Sequence, residues 1–179
     1  MKIIETKIEG LLIMEPQRFA DDRGWFMESF NQKNFEQALT ERGLEVPNFV
    51  QDNHSCSKQG VLRGLHYQLD PCAQGKLVRV VQGRAWDVAV DLRQDSATYG
   101  QWVGVELSAA NHRQFWIPEG FAHGFLALEE DTHFLYKTTN YYSKAHERSL
   151  LWCDETLNID WLSHGVDADD LIISDKDRM

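Results

Sequence analysis

Short runs of alternating apolar and polar residues, broken by Gly, Asn, Asp and Ser, fill most of the chain. Their period of two is that of β-strands with one buried face. The runs predict strands over residues 3–8, 11–15, 26–30, 49–57, 60–68, 76–82, 85–92, 101–107, 114–117, 123–128 and 133–140. One stretch switches to helical spacing. Asn31 is a good N-cap, Phe35, Ala38 and Leu39 supply an apolar stripe, and Gly43 ends the helix. No linker, repeat or low-complexity tract interrupts the order, so residues 1–179 read as one all-β domain, an antiparallel double sheet of jelly-roll type.

The same period assigns faces. Trp86, Val88, Val90 and Leu92 share one face of their strand, and Asp87, Ala89 and Asp91 the other. Phe121, His123, Phe125 and Ala127 lie on one side, as do Phe134, Tyr136 and Thr138. His123 and Tyr136 thus stand among aromatic residues, either as walls of a pocket or as core residues with a satisfied polar tip.

Composition narrows the class. With 42% hydrophobic and 26% charged residues the chain is an ordinary globular sequence, and no apolar run approaches membrane-spanning length. Its first residues, Met1 to Lys7, alternate too quickly for the apolar region of a signal peptide and read as a strand. Cys56, Cys72 and Cys153 are too few and too irregularly spaced for a disulfide framework or zinc knuckle, which points to free thiols and a cytoplasmic location. A net charge of −10 argues against nucleic acid as a partner, because polyanions need a broad basic field. A small anion needs only local cations.

Those cations are concentrated in one place. Val61-Leu62-Arg63-Gly64-Leu65-His66-Tyr67-Gln68, then Gly75-Lys76-Leu77-Val78-Arg79-Val80, put a guanidinium, an imidazole and an ammonium on two otherwise apolar strands. Unpaired charge is costly in a core. Arg63 and Lys76 can reach solvent from a sheet edge and His66 can be a hydrogen-bonded core histidine; together they indicate a pocket that receives an anion and moves a proton. Arg79, an odd step from Lys76, falls on the opposite face. Arg63 and His66 are three residues apart, so both reach one pocket only if the strand bulges at Gly64.

Further blocks complete a signature: Asp22-Arg23-Gly24-Trp25-Phe26-Met27-Glu28-Ser29-Phe30, Val50-Gln51-Asp52-Asn53-His54-Ser55, Ile117-Pro118-Glu119-Gly120-Phe121-Ala122-His123-Gly124-Phe125, Phe134-Leu135-Tyr136-Lys137-Thr138-Thr139-Asn140-Tyr141-Tyr142 and Ser174-Asp175-Lys176-Asp177. In this order, over nearly the whole chain, they resemble the dTDP-4-dehydrorhamnose 3,5-epimerases, cupin-fold enzymes of dTDP-L-rhamnose synthesis. The resemblance implies a cupin jelly roll, a dTDP-sugar substrate, a homodimer and no cofactor. Many cupins hold a metal through a His-x-His pair; here Gln68 stands two residues beyond His66, so no metal is expected.

In a 4-keto sugar nucleotide the C3 and C5 hydrogens lie α to the ketone, and inversion through an enolate needs a base, an oxyanion stabiliser and an acid across the ring. His66 suits the base, Lys76 the enolate oxygen and Tyr136 the opposite-face acid, and the resemblance assigns the base and acid roles to the same residues. It also gives Asp177 as the carboxylate orienting His66, with Asp87 a second candidate for that task. Arg63 offers a fork for the diphosphate. His123 and Lys176 match positions near the substrate, and the resemblance adds Arg23, Glu28, Gln51, Asp52, Asn53 and Glu147 as contacts. Phe19, Trp25 or Phe26 can stack on thymine. The rival expectations are an epimerase of one centre, a 3,4-ketoisomerase, and a silent cupin that only binds nucleotide sugars.

Overall fold

The structure is a computed structural model and describes residues 1–178. In chain order the elements are β1 (Lys2–Glu5), β2 (Leu12–Glu15), β3 (Arg18–Asp21), β4 (Gly24–Met27), α1 (Gln32–Thr40), β5 (Gln51–Ser57), β6 (Val61–Gln68) and β7 (Lys76–Gln82). There follow β8 (Arg84–Asp91), β9 (Trp102–Ser108), β10 (Gln114–Ile117), β11 (Phe121–Ala127), β12 (Thr132–Thr138), β13 (Glu147–Ser149) and β14 (Ile172–Ile173), with 3₁₀ turns at Ala168–Asp170 and Asp175–Arg178.

Two sheets face each other. One runs β1-β2-β10-β7-β12-β5 and the other β13-β6-β11-β8-β9, with β14 joining β6 in parallel. Their inner faces interdigitate: Val78, Val80, Phe115 and Phe134 from the first meet Ala85, Ala89, Phe121 and Phe125 from the second. The rings of Phe125 and Phe134 stack at 4.1 Å across this gap. Each valine or phenylalanine side chain buried there contributes about 1.5–3 kcal/mol. The sheets are those of the expected jelly roll, and the face assignments for β8, β11 and β12 hold.

Each outer face has its own cover. On the first sheet, α1 lays Phe35 and Leu39 over Leu12, Met14, Leu77 and Trp116. Asn31 caps the helix as predicted, its side chain accepting from the Asn34 amide. At the other end Gly43, at φ +67, and Leu44 return their amides to the Thr40 and Leu39 carbonyls, a Schellman closure. Over the second sheet runs the segment after β13. It is anchored by Trp161, 2% exposed, whose indole donates to the Trp152 carbonyl, and by the Trp102 indole on the Leu157 carbonyl. This strap ends on β14 beside β6, which aims the last turn, and Asp177 with it, back into the sandwich.

Three features depart from the sequence reading. The strand expected over 26–30 is Gly24–Met27, paired with Arg18–Asp21 in a separate two-stranded hairpin. β1 stops at Glu5, after which Ile8 turns into the core. β13 and β14 were not foreseen. The bulge at Gly64 is present: His66 pairs with His123 and Arg63 with Phe125, so Gly64 and Leu65 together oppose Gly124 alone. Gly64 has φ +119, a region closed to side chains, and a Cβ there would meet the Gly124 Cα at 2.6 Å.

Candidate active site

The two sheets part at one end around a cavity of about 510 Å³. Strand alternation decides what enters it. On β5, Gln51 and Asn53 point inward, on β7 Lys76, and on β12 Tyr136. From the second sheet come Arg63 and His66 on β6, brought to one side by the bulge, and His123 on β11. Glu147 on β13 and the strap's Lys176 and Asp177 close the wall. Ten of the thirteen site residues expected from sequence therefore share one cavity.

The other three do not. Asp52 lies between two inward residues on β5, so the same alternation turns it to the outer face, where it pairs with Lys137 at 2.9 Å. Arg79 is on that outer face too, as read from sequence. Arg23 sits at the exposed tip of the β3–β4 hairpin, bonded to Asp21 at 2.6 Å. Glu28 follows the hairpin and accepts from the Asn34 side chain at 3.0 Å. Phe19, Trp25 and Phe26 are on the same hairpin, 54%, 54% and 69% exposed, away from this chain's cavity.

Several of the cavity's polar groups are tied to one another. Asp177 is 5% exposed; one carboxylate oxygen accepts from His66 Nε2 at 2.5 Å and the other from the Ser174 hydroxyl at 3.0 Å. That bond holds the Nε2 proton and leaves Nδ1 as the basic nitrogen. Burial pulls the His66 pKa below its ordinary value, although the Asp177 bond and charge oppose the fall, so the imidazole is neutral at pH 7. Asp87, the second candidate for this role, belongs to another residue: His123 Nε2 donates to it at 2.8 Å.

Lys76 is 7% exposed and its ammonium donates to the His66 carbonyl at 3.4 Å. Burial brings its pKa down to about 8, against the pull of Asp87 and Glu147. It remains a cation at neutral pH. Burial raises the Tyr136 pKa, only partly offset by Arg63, so the phenol keeps its proton. Burial also tends to raise Glu147, but the Lys176 ammonium at 2.6 Å and the Tyr142 hydroxyl at 3.0 Å hold the carboxylate below its ordinary value.

Gln68, in the slot where a metal-binding cupin places a histidine, is committed elsewhere. Its amide donates to the Cys72 and Tyr141 carbonyls, the latter at 3.1 Å, and its oxygen accepts from the Ser143 amide at 2.7 Å. It clamps the two loops that frame the cavity. Sequence reasoning missed Tyr142, an exposed ring on the cavity rim, although it stands in a quoted block. It also missed Ser174, whose bond to Asp177 no strand pattern encodes.

Chemically, the cavity offers a neutral imidazole on one sheet and a protonated phenol on the other. A buried ammonium lies beside the first. Arg63 adds a guanidinium for an anionic ligand.

Comparison with known proteins gives the same picture. The dTDP-4-dehydrorhamnose 3,5-epimerase family model matches residues 5–179. The dTDP-4-dehydrorhamnose 3,5-epimerase of Shigella flexneri is 58% identical over 177 residues, 99% of this chain and 93% of the relative. The crystal structure of the Elizabethkingia anophelis enzyme of that name superposes with a TM-score of 0.92 at 48% identity, covering 99% of this chain and 93% of that one. A dTDP-6-deoxy-D-glucose-3,5-epimerase from Legionella pneumophila, in complex with dTDP-4-keto-L-rhamnose, superposes at 0.90 with 49% identity, over 98% and 89% of the two chains. The chain belongs to the dTDP-4-dehydrorhamnose 3,5-epimerase family, isomerases of the cupin type.

Proposed function

We propose that the cavity converts dTDP-4-dehydro-6-deoxy-D-glucose into dTDP-4-dehydro-L-rhamnose by inverting C3 and C5. The observation that carries this reading is the placement of a base and an acid on opposite sheets. His66, held by Asp177, projects from β6, and Tyr136 projects from β12 across the same cavity. His66 Nδ1 takes the proton from the carbon next to the ketone, and the C–H electron pair moves into a C=C bond as the carbonyl becomes an enolate. The Lys76 ammonium stabilises the enolate oxygen in a low-dielectric site. Tyr136 then donates its proton to the opposite face of that carbon, which inverts the centre; Tyr136 recovers a proton from solvent and His66 releases the one it took, so that both are reset. Repetition at the second α carbon completes the reaction.

Arg63 and Lys176 supply positive charge for the diphosphate, and the exposed Tyr142 ring on the rim offers a face for thymine. Since the base has both a partner that fixes its tautomer and an acid facing it, a binding-only cupin is the poorer reading. No resident metal or cofactor has a step to perform.

The working unit in this proposal is a homodimer in the cytoplasm. The hairpin carrying Arg23 extends Phe19, Trp25 and Phe26, each more than half exposed, and Arg23 and Glu28 lie outside their own chain's cavity. Docked at the rim of a second copy's cavity, they become the contacts that the family resemblance assigns them. The three free cysteines agree with a reducing compartment. Incubation with the 4-keto sugar nucleotide in deuterated water tests the activity: label at both C3 and C5 with inversion supports it, and label at one centre only shows a single-centre epimerase instead.

A further inference from the structure

We infer that Asp87, a residue outside substrate reach, sets the working charge of the site: its buried carboxylate orients His123 and is the counter-charge that keeps Lys76 an ammonium. This rests on the proposed enolate chemistry, in which Lys76 acts only while protonated.

Asp87 is on the inward face of β8 and is 0% exposed. A carboxylate there is costly unless something compensates it. One oxygen has a partner, His123 Nε2 at 2.8 Å, and the other, Oδ1, is buried with none among the described residues. Burial raises the Asp87 pKa, while His123 and then Lys76 pull it back. Lys76 stands on β7 of the opposite sheet, itself 7% exposed. Contacts between strands bring the two charges into one neighbourhood: the Lys76 ammonium makes its one hydrogen bond among the described residues to the His66 carbonyl at 3.4 Å, His66 pairs with His123 across the β6–β11 ladder, and His123 holds Asp87.

Other groups bear on the same region. Glu147 on β13 helps hold the charge of Lys76, but it is itself tied to Lys176 and Tyr142 on the rim. Asp177 is tied to His66 and Ser174. Arg63 on β6 lowers the Tyr136 pKa on β12, and Lys176 in the last turn bears on His66. Of the acids near Lys76, Asp87 has the greater effect and is the more deeply buried. His123, pinned by Asp87, presents its other nitrogen to the cavity in a defined tautomer.

Asp87→Asn keeps the shape and removes the charge. The sign follows directly: burial already draws Lys76 down to about 8, and loss of the carboxylate draws it lower. The ammonium is present below that pKa and lost above it, so the alkaline limb of kcat moves to lower pH. A shift of one unit is about a tenfold loss of the charged form, hence of rate, on the alkaline side. The direct reading is ¹³C NMR of the Lys76 Cε through a pH titration of ligand-free protein, which requires no turnover. The proposal expects the midpoint to fall by a unit or more in Asp87→Asn; an unchanged or higher midpoint overturns it.

If Asp87→Asn does not fold, Lys76→Met reads the same coupling from the other side: without the ammonium the Asp87 carboxyl, followed by ¹³C NMR, titrates at higher pH, and an unchanged or lower midpoint overturns the proposal. Because either group is titrated without substrate, failure here is distinct from failure of the epimerase reading, which shows as absent label in the deuterium experiment.

Discussion

Gly64→Ala strikes at the device that puts Arg63 and His66 in one cavity. The new methyl would sit 2.6 Å from the Gly124 Cα and 2.8 Å from the His123 carbonyl oxygen, on backbone atoms that cannot swing aside. It would also occupy φ +119. Such a backbone region costs about 1–3 kcal/mol for a side-chain residue, and overpacking a fixed neighbour costs about 1–3 kcal/mol more. Against a total stability of about 5–15 kcal/mol, the protein folds but melts roughly 5–20 °C lower, at about 2–4 °C per kcal/mol for a chain of this size. Relief comes by parting β6 from β11, and that moves His66 and His123 together. A displacement of about 1 Å in a catalytic group costs about 100-fold in rate. Thermal denaturation by circular dichroism and label uptake in deuterated water read the two effects. Gly100→Ala is the control: φ is +76 but nothing lies within 4 Å, so strain acts without a clash and activity is retained. If Gly64→Ala melts within 2 °C of the parent and exchanges at the parent rate, the bulge does not position the site.

Asp177→Asn removes the group that props up the His66 pKa against burial, so the acid limb of kcat/KM moves to lower pH while the plateau falls by about 10²–10⁴-fold; an acid limb that moves up contradicts the dyad. Arg23→Ala and His66→Ala, each nearly inactive, recover activity when mixed if Arg23 serves the partner's cavity, measured as product formation after subunit exchange; no recovery shows that Arg23 does not act across the dimer. Overnight dialysis against EDTA leaves kcat unchanged, followed by elemental analysis of the dialysed protein; activity lost to the chelator and restored by a metal overturns the metal-free reading.

The strands that form the sandwich were legible because each shows one buried face. Lys76–Gln82 and Gln114–Ile117 came out to the residue. The same rule turns Asp52, between Gln51 and Asn53, to the outer face of β5, so the family resemblance alone marks it as a contact. The β3–β4 hairpin was misread because Arg18-Phe19-Ala20-Asp21 buries no face within its own chain. β13 and β14 are only three and two residues long and exist by pairing with β6, a relation no local window contains. Asp177 reaches His66 across 111 positions of sequence because Trp161 and its neighbours steer the strap, so resemblance alone could name it. Strand alternation assigns His123 and Asp87 each to a face of its own strand, but that both faces turn inward and that the two pair depends on the β8–β11 register.

The central claim is that His66 and Tyr136 act from opposite sides of the substrate. Proton NMR of the sugar in deuterated water, run on His66→Ala and Tyr136→Phe with dTDP binding checked by calorimetry, tests it most directly. His66→Ala should bind nucleotide yet neither exchange nor invert. Tyr136→Phe should still wash label into the sugar, because His66 can remove and return protons on its own face, while losing most net inversion. Exchange by His66→Ala at a near-parent rate would contradict the account.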